Sequence, residues 1–288
     1  MQDGARLSDD MIRRFGIRHA KLVAETQIAR IFFVHTAVEG IAALKVYHRA
    51  DMGNERTGVA FMDAVKGRGA VRIFDYSENA VLMEWLDGPS LGDVARNGRD
   101  MQAAERLLDV ARTLHENRST VSGSLAPLTE WFEPIFAVQF SQTCPAGLQA
   151  NIGRAQRLAQ SLLSGPMDLR PLHGDLHHEN VRSNARGDLS FDAKGLLGDP
   201  AFELANAFRH PADRPALVRD RARINALAEL WARGFGVSRG RLLEWAAAKC
   251  ALSIVWRNGP VLAEDDESDL LHLLLSCAGA EPKKRAEH

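Results

Sequence analysis

Cysteine is scarce in this chain, and what there is lies scattered: Cys144, Cys250 and Cys277 form no C-x-x-C pair. That excludes a zinc-ribbon or thioredoxin-type centre and fits a reducing cytoplasm. An excess of charge of either sign is absent too, with 36 Lys and Arg against 37 Asp and Glu. No long-range field is therefore available to recruit nucleic acid or an anionic membrane surface. No apolar run approaches the ~20 residues that span a bilayer. The longest candidate, Leu270 to Ala280, is interrupted by His272 and reads as a packed terminal helix. The first six residues lack the apolar core of a secretory signal, so a cytoplasmic protein is expected. Internal repeats and low-complexity tracts are also missing, and no feature specifies an oligomeric state.

What is present is a chain of 288 residues, 45% hydrophobic and 25% charged, longer than the usual ~100 to 200 per domain. One large bilobal unit or two domains is expected. A short leading helix within residues 1–20 precedes β-rich runs at Lys21 to Thr26, Arg30 to Thr36 and Ile41 to Tyr47. Because strand side chains alternate, Lys45 shares a face with Ile41, Ala43 and Tyr47. Asp51 to Val65 reads as a helix with Val59, Met62 and Val65 at helical spacing, followed by strands at Val71 to Phe74 and Ala80 to Leu86. From Leu91 onward the pattern is helical: Met101 to Arg118, Leu128 to Ser141, Gly147 to Ser164, Ala216 to Phe235, Arg239 to Asn258 and Asp269 to Gly279. His115 reads as packed or capping, and the aromatic stripe Trp131, Phe132, Phe136 and Phe140 as core. The acidic run Glu264 to Asp269 reads as a solvated loop or helix start, and Glu281 to His288 as a disordered tail.

The chemistry concentrates between residues 172 and 204. Asp175 and Asn180 stand in D-x-x-x-x-N spacing, and Asp192 closes a short apolar strand after the turn signal Asn184-Ala185-Arg186-Gly187. A hairpin there brings all three together. Phosphoryl transfer needs an oriented hydroxyl and cations over the phosphate oxygens, with little covalent work from the protein. Asp175 suits the carboxylate that accepts or directs the hydroxyl proton. Asn180 and Asp192 suit Mg2+, a hard ion that prefers oxygen ligands. The histidines at 173, 177 and 178 leave two other readings open, a structural cluster or a metallohydrolase centre. Neither accounts for Asn180 and Asp192.

The segments Leu172-His173-Gly174-Asp175-Leu176-His177-His178-Glu179-Asn180-Val181 and Asp192-Ala193-Lys194-Gly195-Leu196-Leu197-Gly198-Asp199-Pro200-Ala201-Phe202-Glu203-Leu204 resemble the aminoglycoside phosphotransferase family of the protein-kinase-like fold. The similarity is strongest to its streptomycin and hydroxyurea branch, which the later Phe208-Arg209-His210-Pro211 also matches, and it covers most of the chain. It implies an α+β bilobal fold: an antiparallel β-rich N-lobe through about Leu86 (residues 1–86) and a mainly α-helical C-lobe (87–288). It further implies ATP and Mg2+ as cofactors and a small-molecule hydroxyl acceptor.

Carried over residue by residue, the resemblance makes Asp175 the catalytic base and Asn180 and Asp192 the metal ligands. Lys45, within Ala43-Leu44-Lys45-Val46, resembles the kinase lysine that holds nucleotide phosphates. Such a lysine needs a carboxylate partner, and Glu55 at the start of the following helix is the expected one. Backbone groups of about Glu84, Trp85 and Leu86 are expected to meet the adenine edge. Asp199-Pro200 reads as a helix start, with Phe202, Ala205 and Phe208 following at spacing three. By the resemblance Asp199 is expected to brace the catalytic loop, and Lys194-Gly195 replaces the Phe-Gly of protein kinases. One departure stands out: Glu25-Thr26-Gln27-Ile28-Ala29-Arg30 contains no glycine where protein kinases cover the phosphates with G-x-G-x-x-G. This leaves ATP against GTP open and keeps a nucleotide-binding pseudokinase as a second reading. A metabolic sugar or amino-alcohol kinase would use the same catalytic residues, and the motifs do not separate it from a resistance enzyme.

Overall fold

The computed structural model describes residues 7–116, 125–165 and 168–279. In chain order its elements are α1 (Asp9–Arg14), β1 (Ile17–Glu25), β2 (Ala29–Thr36), β3 (Ile41–Tyr47), α2 (Arg56–Val65), β4 (Ile73–Tyr76), β5 (Ala80–Glu84), α3 (Leu91–Arg96), α4 (Asp100–Glu116), β6 (Ala126–Pro127), α5 (Leu128–Trp131), α6 (Glu133–Ala137), β7 (Gln139–Phe140), α7 (Ala146–Ser164), β8 (Arg170–Leu172), β9 (Val181–Asn184), β10 (Gly187–Ser190), β11 (Leu196–Gly198), α8 (Pro215–Val218), α9 (Arg221–Phe235), α10 (Arg239–Asn258), β12 (Val261–Leu262) and α11 (Ser268–Ala278). The end of the helix expected to reach Arg118 and the tail expected from Glu281 lie outside the described residues.

Strands β1 to β5 form one antiparallel sheet in the order β1-β2-β3-β5-β4. Alternation gives this sheet two different faces. Phe32, Val34, Ala42, Leu44, Ala80 and Leu82 close a small core with Phe15 and Ile17. On the opposite face Ala43, Lys45 and Tyr47 turn toward the rest of the protein and line a cavity. The second lobe is built around α10, whose positions from Leu242 to Val255 are almost all buried, Trp245 completely. Helices α7, α9 and α11 pack on it, as a helix hydrophobic all round requires.

Two expectations need correction. Leu128 to Ser141 is not one amphipathic helix: Pro134 stands at the start of α6 and cuts the run, and β7 leaves to pair in parallel with β12. Phe132 is core, whereas Phe136 and Phe140 are exposed. The acidic run is a helix start, one of its two expected readings: Glu267 stands at the N-cap of α11. Asp265 pairs with Arg257, and Glu267 with both Arg257 and Arg209. After Asp199 the chain forms two successive 3-10 turns, Pro200–Phe202 and Ala205–Arg209, rather than an α-helix. The apolar spacing of three through Phe202, Ala205 and Phe208 was itself the 3-10 period.

Helix α2 is seated on the loop that follows Asp192 by a close backbone approach. A Cβ built on Gly58 would lie 1.7 Å from the Ala193 carbonyl oxygen, and one on Gly195 would lie 2.2 Å from that of Thr57. The Thr57 hydroxyl closes the seam by donating to the Lys194 carbonyl at 2.7 Å. Gly58→Ala is expected to destabilise the protein by about 2 kcal/mol or more, because the obstacle is backbone. Urea unfolding measures this, and an unchanged midpoint would contradict the seam.

Candidate active site

The three polar residues singled out in the sequence are assembled by the β9–β10 hairpin and the loops on either side of it. Asn180 ends a 3-10 turn immediately before β9, and its backbone oxygen accepts from the Phe191 amide at 3.0 Å. This ties Asn180 to the stretch that ends in Asp192. Its side-chain amide donates to the Asp175 carbonyl at 3.0 Å, which settles the amide orientation and leaves the carbonyl oxygen as its other pole. Asp192 takes a left-handed backbone, φ 62°, a conformation that costs a non-glycine residue on the order of 1 kcal/mol and often marks functional positions. An acid and an amide oxygen are the donor types a hard divalent cation accepts, so the residues fit such an ion. Among the described residues no three His, Cys, Asp or Glu side chains converge as a transition-metal site.

Lys45 reaches this loop from β3. Its Nζ lies 2.5 Å from Asp192 Oδ1 and 3.6 Å from Glu55 Oε2, with all but about a tenth of the lysine side chain covered. The expected Lys45–Glu55 pair is present, but Glu55 is shared. Lys194 Nζ donates to Glu55 Oε1 at 2.6 Å. With Lys45 nearest and Lys194 next, the cationic surroundings overcome burial and hold the Asp192 carboxyl down at about 2.

Above these groups lies a cavity of about 610 Å³, lined by Val23, Ile28, Ala43, Val59, Met83 and Phe191 among others. That size and apolar character suit a nucleotide base and sugar. Glu84, Trp85 and Leu86 all line it. Glu84 has further duties: its amide donates to the Arg72 carbonyl, and its carboxylate takes Asn184 and Arg186 from the β9–β10 hairpin. The glycine-free turn between β1 and β2 is pinned by Thr26, whose hydroxyl accepts from the Ala29 amide at 3.1 Å.

Asp175 is set from below. Asn206 Nδ2 donates to its Oδ1 at 2.8 Å, and His177 Nε2 stands 3.8 Å from Oδ2. Burial raises its carboxyl, and the fields of His177 when protonated, Lys249 and Lys194 bring it net below the usual range. Asp199, expected to brace this loop, does something else: it caps Ala201 and takes Trp245 and Arg241. The brace is Glu203. Its buried carboxylate accepts from the His173 and Gly174 amides, each at 3.0 Å, and bonds His115 Nε2 at 2.8 Å. Four residues further along the chain than Asp199, it reaches the peptide units that precede Asp175.

Sequence reasoning missed Glu203, Asn206 and Arg209 as a set, although a signal existed. They are polar residues three apart in an otherwise apolar stretch, and on 3-10 turns positions i and i+3 eclipse. Arg209 carries the row onward, donating to Asn206 Oδ1 at 2.7 Å and Ser253 Oγ at 2.8 Å and pairing with Glu267. Lys249 meets the same Ser253 hydroxyl at 2.8 Å.

The family described as aminoglycoside/hydroxyurea antibiotic resistance kinase matches residues 14–259. The chain belongs to that family. Among its relatives, the streptomycin 3''-kinase of Klebsiella pneumoniae is 37% identical over 221 residues, which cover 75% of this chain and 79% of the relative. The hydroxyurea phosphotransferase of Kitasatospora aureofaciens is 28% identical over 294 aligned positions, covering 94% and 78%. Among solved structures, a ternary complex of aminoglycoside phosphotransferase APH(4)-Ia with ADP and hygromycin B aligns over 95% of this chain and 98% of that one, with TM-score 0.62 and 17% identity. A choline/ethanolamine kinase family protein from Mesorhizobium loti aligns over 93% and 92%, with TM-score 0.64 and 16% identity. Both share the bilobal α+β fold of protein kinases with this member of the resistance-kinase family.

Glu203→Ala is expected to cost about 3 kcal/mol or more, since it orphans two buried amides and removes the bond to His115 at once; chemical denaturation reads the loss. A pH effect follows from the imidazoles. His177 and His210 stack face to face at 3.7 Å, and burial pushes His177 down to about 4 and His210 well below its ordinary value. The unfolded chain then binds more protons below pH ~6.5, so stability present above that pH is lost as pH falls toward the folded value. For His177 alone the loss is on the order of 3 kcal/mol by pH 4. Urea midpoints at pH 7.5 and 5.0 test the sign, and equal midpoints would contradict it.

Proposed function

We propose that this chain is an ATP- and Mg2+-dependent phosphotransferase that moves the γ-phosphoryl group to a hydroxyl of a small molecule, an aminoglycoside of streptomycin type or hydroxyurea. The observation that carries the reading is Asp175, partly buried, held at one oxygen by Asn206 and joined through Asn180 to the stretch that carries the Lys45–Asp192 pair. The second carboxylate oxygen is left to meet the acceptor hydroxyl and take or direct its proton. Glu203, by fixing the two preceding peptides, keeps that carboxylate from drifting. Lys45 anchors the nucleotide phosphates and Glu55 orients it. The linker past β5, Trp85 and Leu86 with Glu84 at its root, lies where the adenine edge would be met, between a nucleotide lobe ending near Leu86 and a catalytic lobe beyond it. Asn180 and Asp192 would hold Mg2+, whose chemistry is to neutralise charge on the phosphate oxygens.

The streptomycin and hydroxyurea relatives, and the phosphotransferase structure with ADP and hygromycin B, support both the nucleotide and the acceptor class. No helix among the described residues is long and apolar enough to cross a membrane. A metabolic kinase is the second reading, favoured by the choline/ethanolamine kinase neighbour.

The test is phosphate transfer from ATP with magnesium to streptomycin, hydroxyurea and a set of sugars and amino alcohols, run beside Asp175→Asn. Transfer to streptomycin or hydroxyurea is expected, and the variant should lose about a thousandfold or more in kcat while retaining ATP affinity. Turnover surviving in Asp175→Asn overturns the assignment. Transfer to a sugar or amino alcohol alone would move the protein into metabolism with the same residues in the same roles.

A further inference from the structure

Lys194 stands where protein kinases carry a phenylalanine, and the reaction as derived above gives it no task. Its surroundings are those of a working part. The side chain is 15% exposed, and its Nζ donates to Glu55 Oε1 at 2.6 Å while Lys45 Nζ lies 3.6 Å from Oε2. One carboxylate is thus divided, an oxygen to each lysine. The backbone of Lys194 is fixed from both sides: its amide donates to the His173 carbonyl at 2.7 Å and its carbonyl accepts from Thr57 Oγ1 at 2.7 Å. The same residue therefore joins the catalytic loop, the Asp192 loop and the start of α2.

Glu55 itself sits in a 3-10 turn with no hydrogen bond from its side chain to the helix it precedes. Among the described residues its two ion partners are these lysines, and they set its direction. Were Lys194 apolar, Glu55 would have Lys45 as its sole cation, and Lys45 would have to orient the acid that is meant to orient it. A second lysine anchored by its own backbone removes that circularity.

We infer that Lys194 is a positioning residue for the nucleotide: by holding Oε1 of Glu55 it fixes the carboxylate against which Lys45 is aimed at the phosphates. It acts through Glu55, not by touching phosphate. The inference rests on the kinase reading, and its test separates the two.

Lys194→Met, Lys194→Arg, Glu55→Gln and the double variant Glu55→Gln/Lys194→Met would be compared for ATP binding by calorimetry with magnesium, and for KM and kcat once an acceptor is found. Thermal melting in parallel shows which variants fold. Lys194→Met is expected to weaken ATP binding about tenfold and to raise the KM for ATP, with the acceptor KM unchanged. Lys194→Arg should recover most of the affinity. In the Glu55→Gln background the methionine change should add nothing, since the residues act as one unit. ATP affinity unaltered in a folded Lys194→Met overturns the inference, and so does a further loss in the double variant, which would mean direct phosphate contact. A wild-type chain that binds no ATP would sink the kinase reading itself, and this inference with it.

Discussion

A carboxylate removed from water must be surrounded by donors or it will not stay ionised. Glu203 is such a group, fully buried yet held below the usual carboxyl range by its bond to His115 and by the amides of the catalytic loop. The rest of the site depends on this solution. The two amides that satisfy Glu203 are those of His173 and Gly174, so the requirement to solvate one acid internally fixes the approach to Asp175. The turns that carry Glu203 bring Asn206 around to the other side of the same aspartate. Arg209, on the next turn, fastens the row to α10 and α11 through Ser253 and Glu267.

Two electrostatic regions meet at Asp175. On one side, Lys45 and Lys194 face Glu55 and Asp192, and these opposite charges at close range hold the Asp192 carboxyl down against its burial. On the other side lies Lys249, buried in α10, whose ammonium touches Ser253 and lies 4.9 Å from the centre of the Trp256 ring. Burial pushes Lys249 down to about 8 even though the field of Asp175 supports its charge. The indole beneath it offers a further, weaker stabilisation for a cation. Asp175, with cations on both sides, is held below the usual carboxyl range despite the burial that raises it.

Much of this was legible in the sequence, and the boundary of legibility has a physical meaning. Lys45 was placed by alternation in β3, where a period of two and flanking apolar residues leave little freedom. Asp175, Asn180 and Asp192 were found because their spacing and the turn signal between them are local. Glu203 was missed for the opposite reason: its bonds are to residues 29, 30 and 88 positions earlier, and nothing local distinguishes an acid that braces a loop from one that faces water. Asp199 looked the better brace because Asp before Pro is a strong capping signal, and it does cap, but its second oxygen turns to Trp245 and Arg241. The aromatic stripe after Leu128 failed because a helical period was read through Pro134. The acidic run was legible as a helix start, but its partners Arg209 and Arg257 were not, because they come from elsewhere in the chain.

The close seating of α2 on the Asp192 loop makes the two move as one body. Backbone meets backbone at Gly58 and Gly195, at the helix's first turn. Rotating the helix away from the loop would break the Thr57–Lys194 and Glu55–Lys194 bonds together and carry Glu55 away from Lys45. A displacement of either element is therefore felt at the Lys45 ammonium.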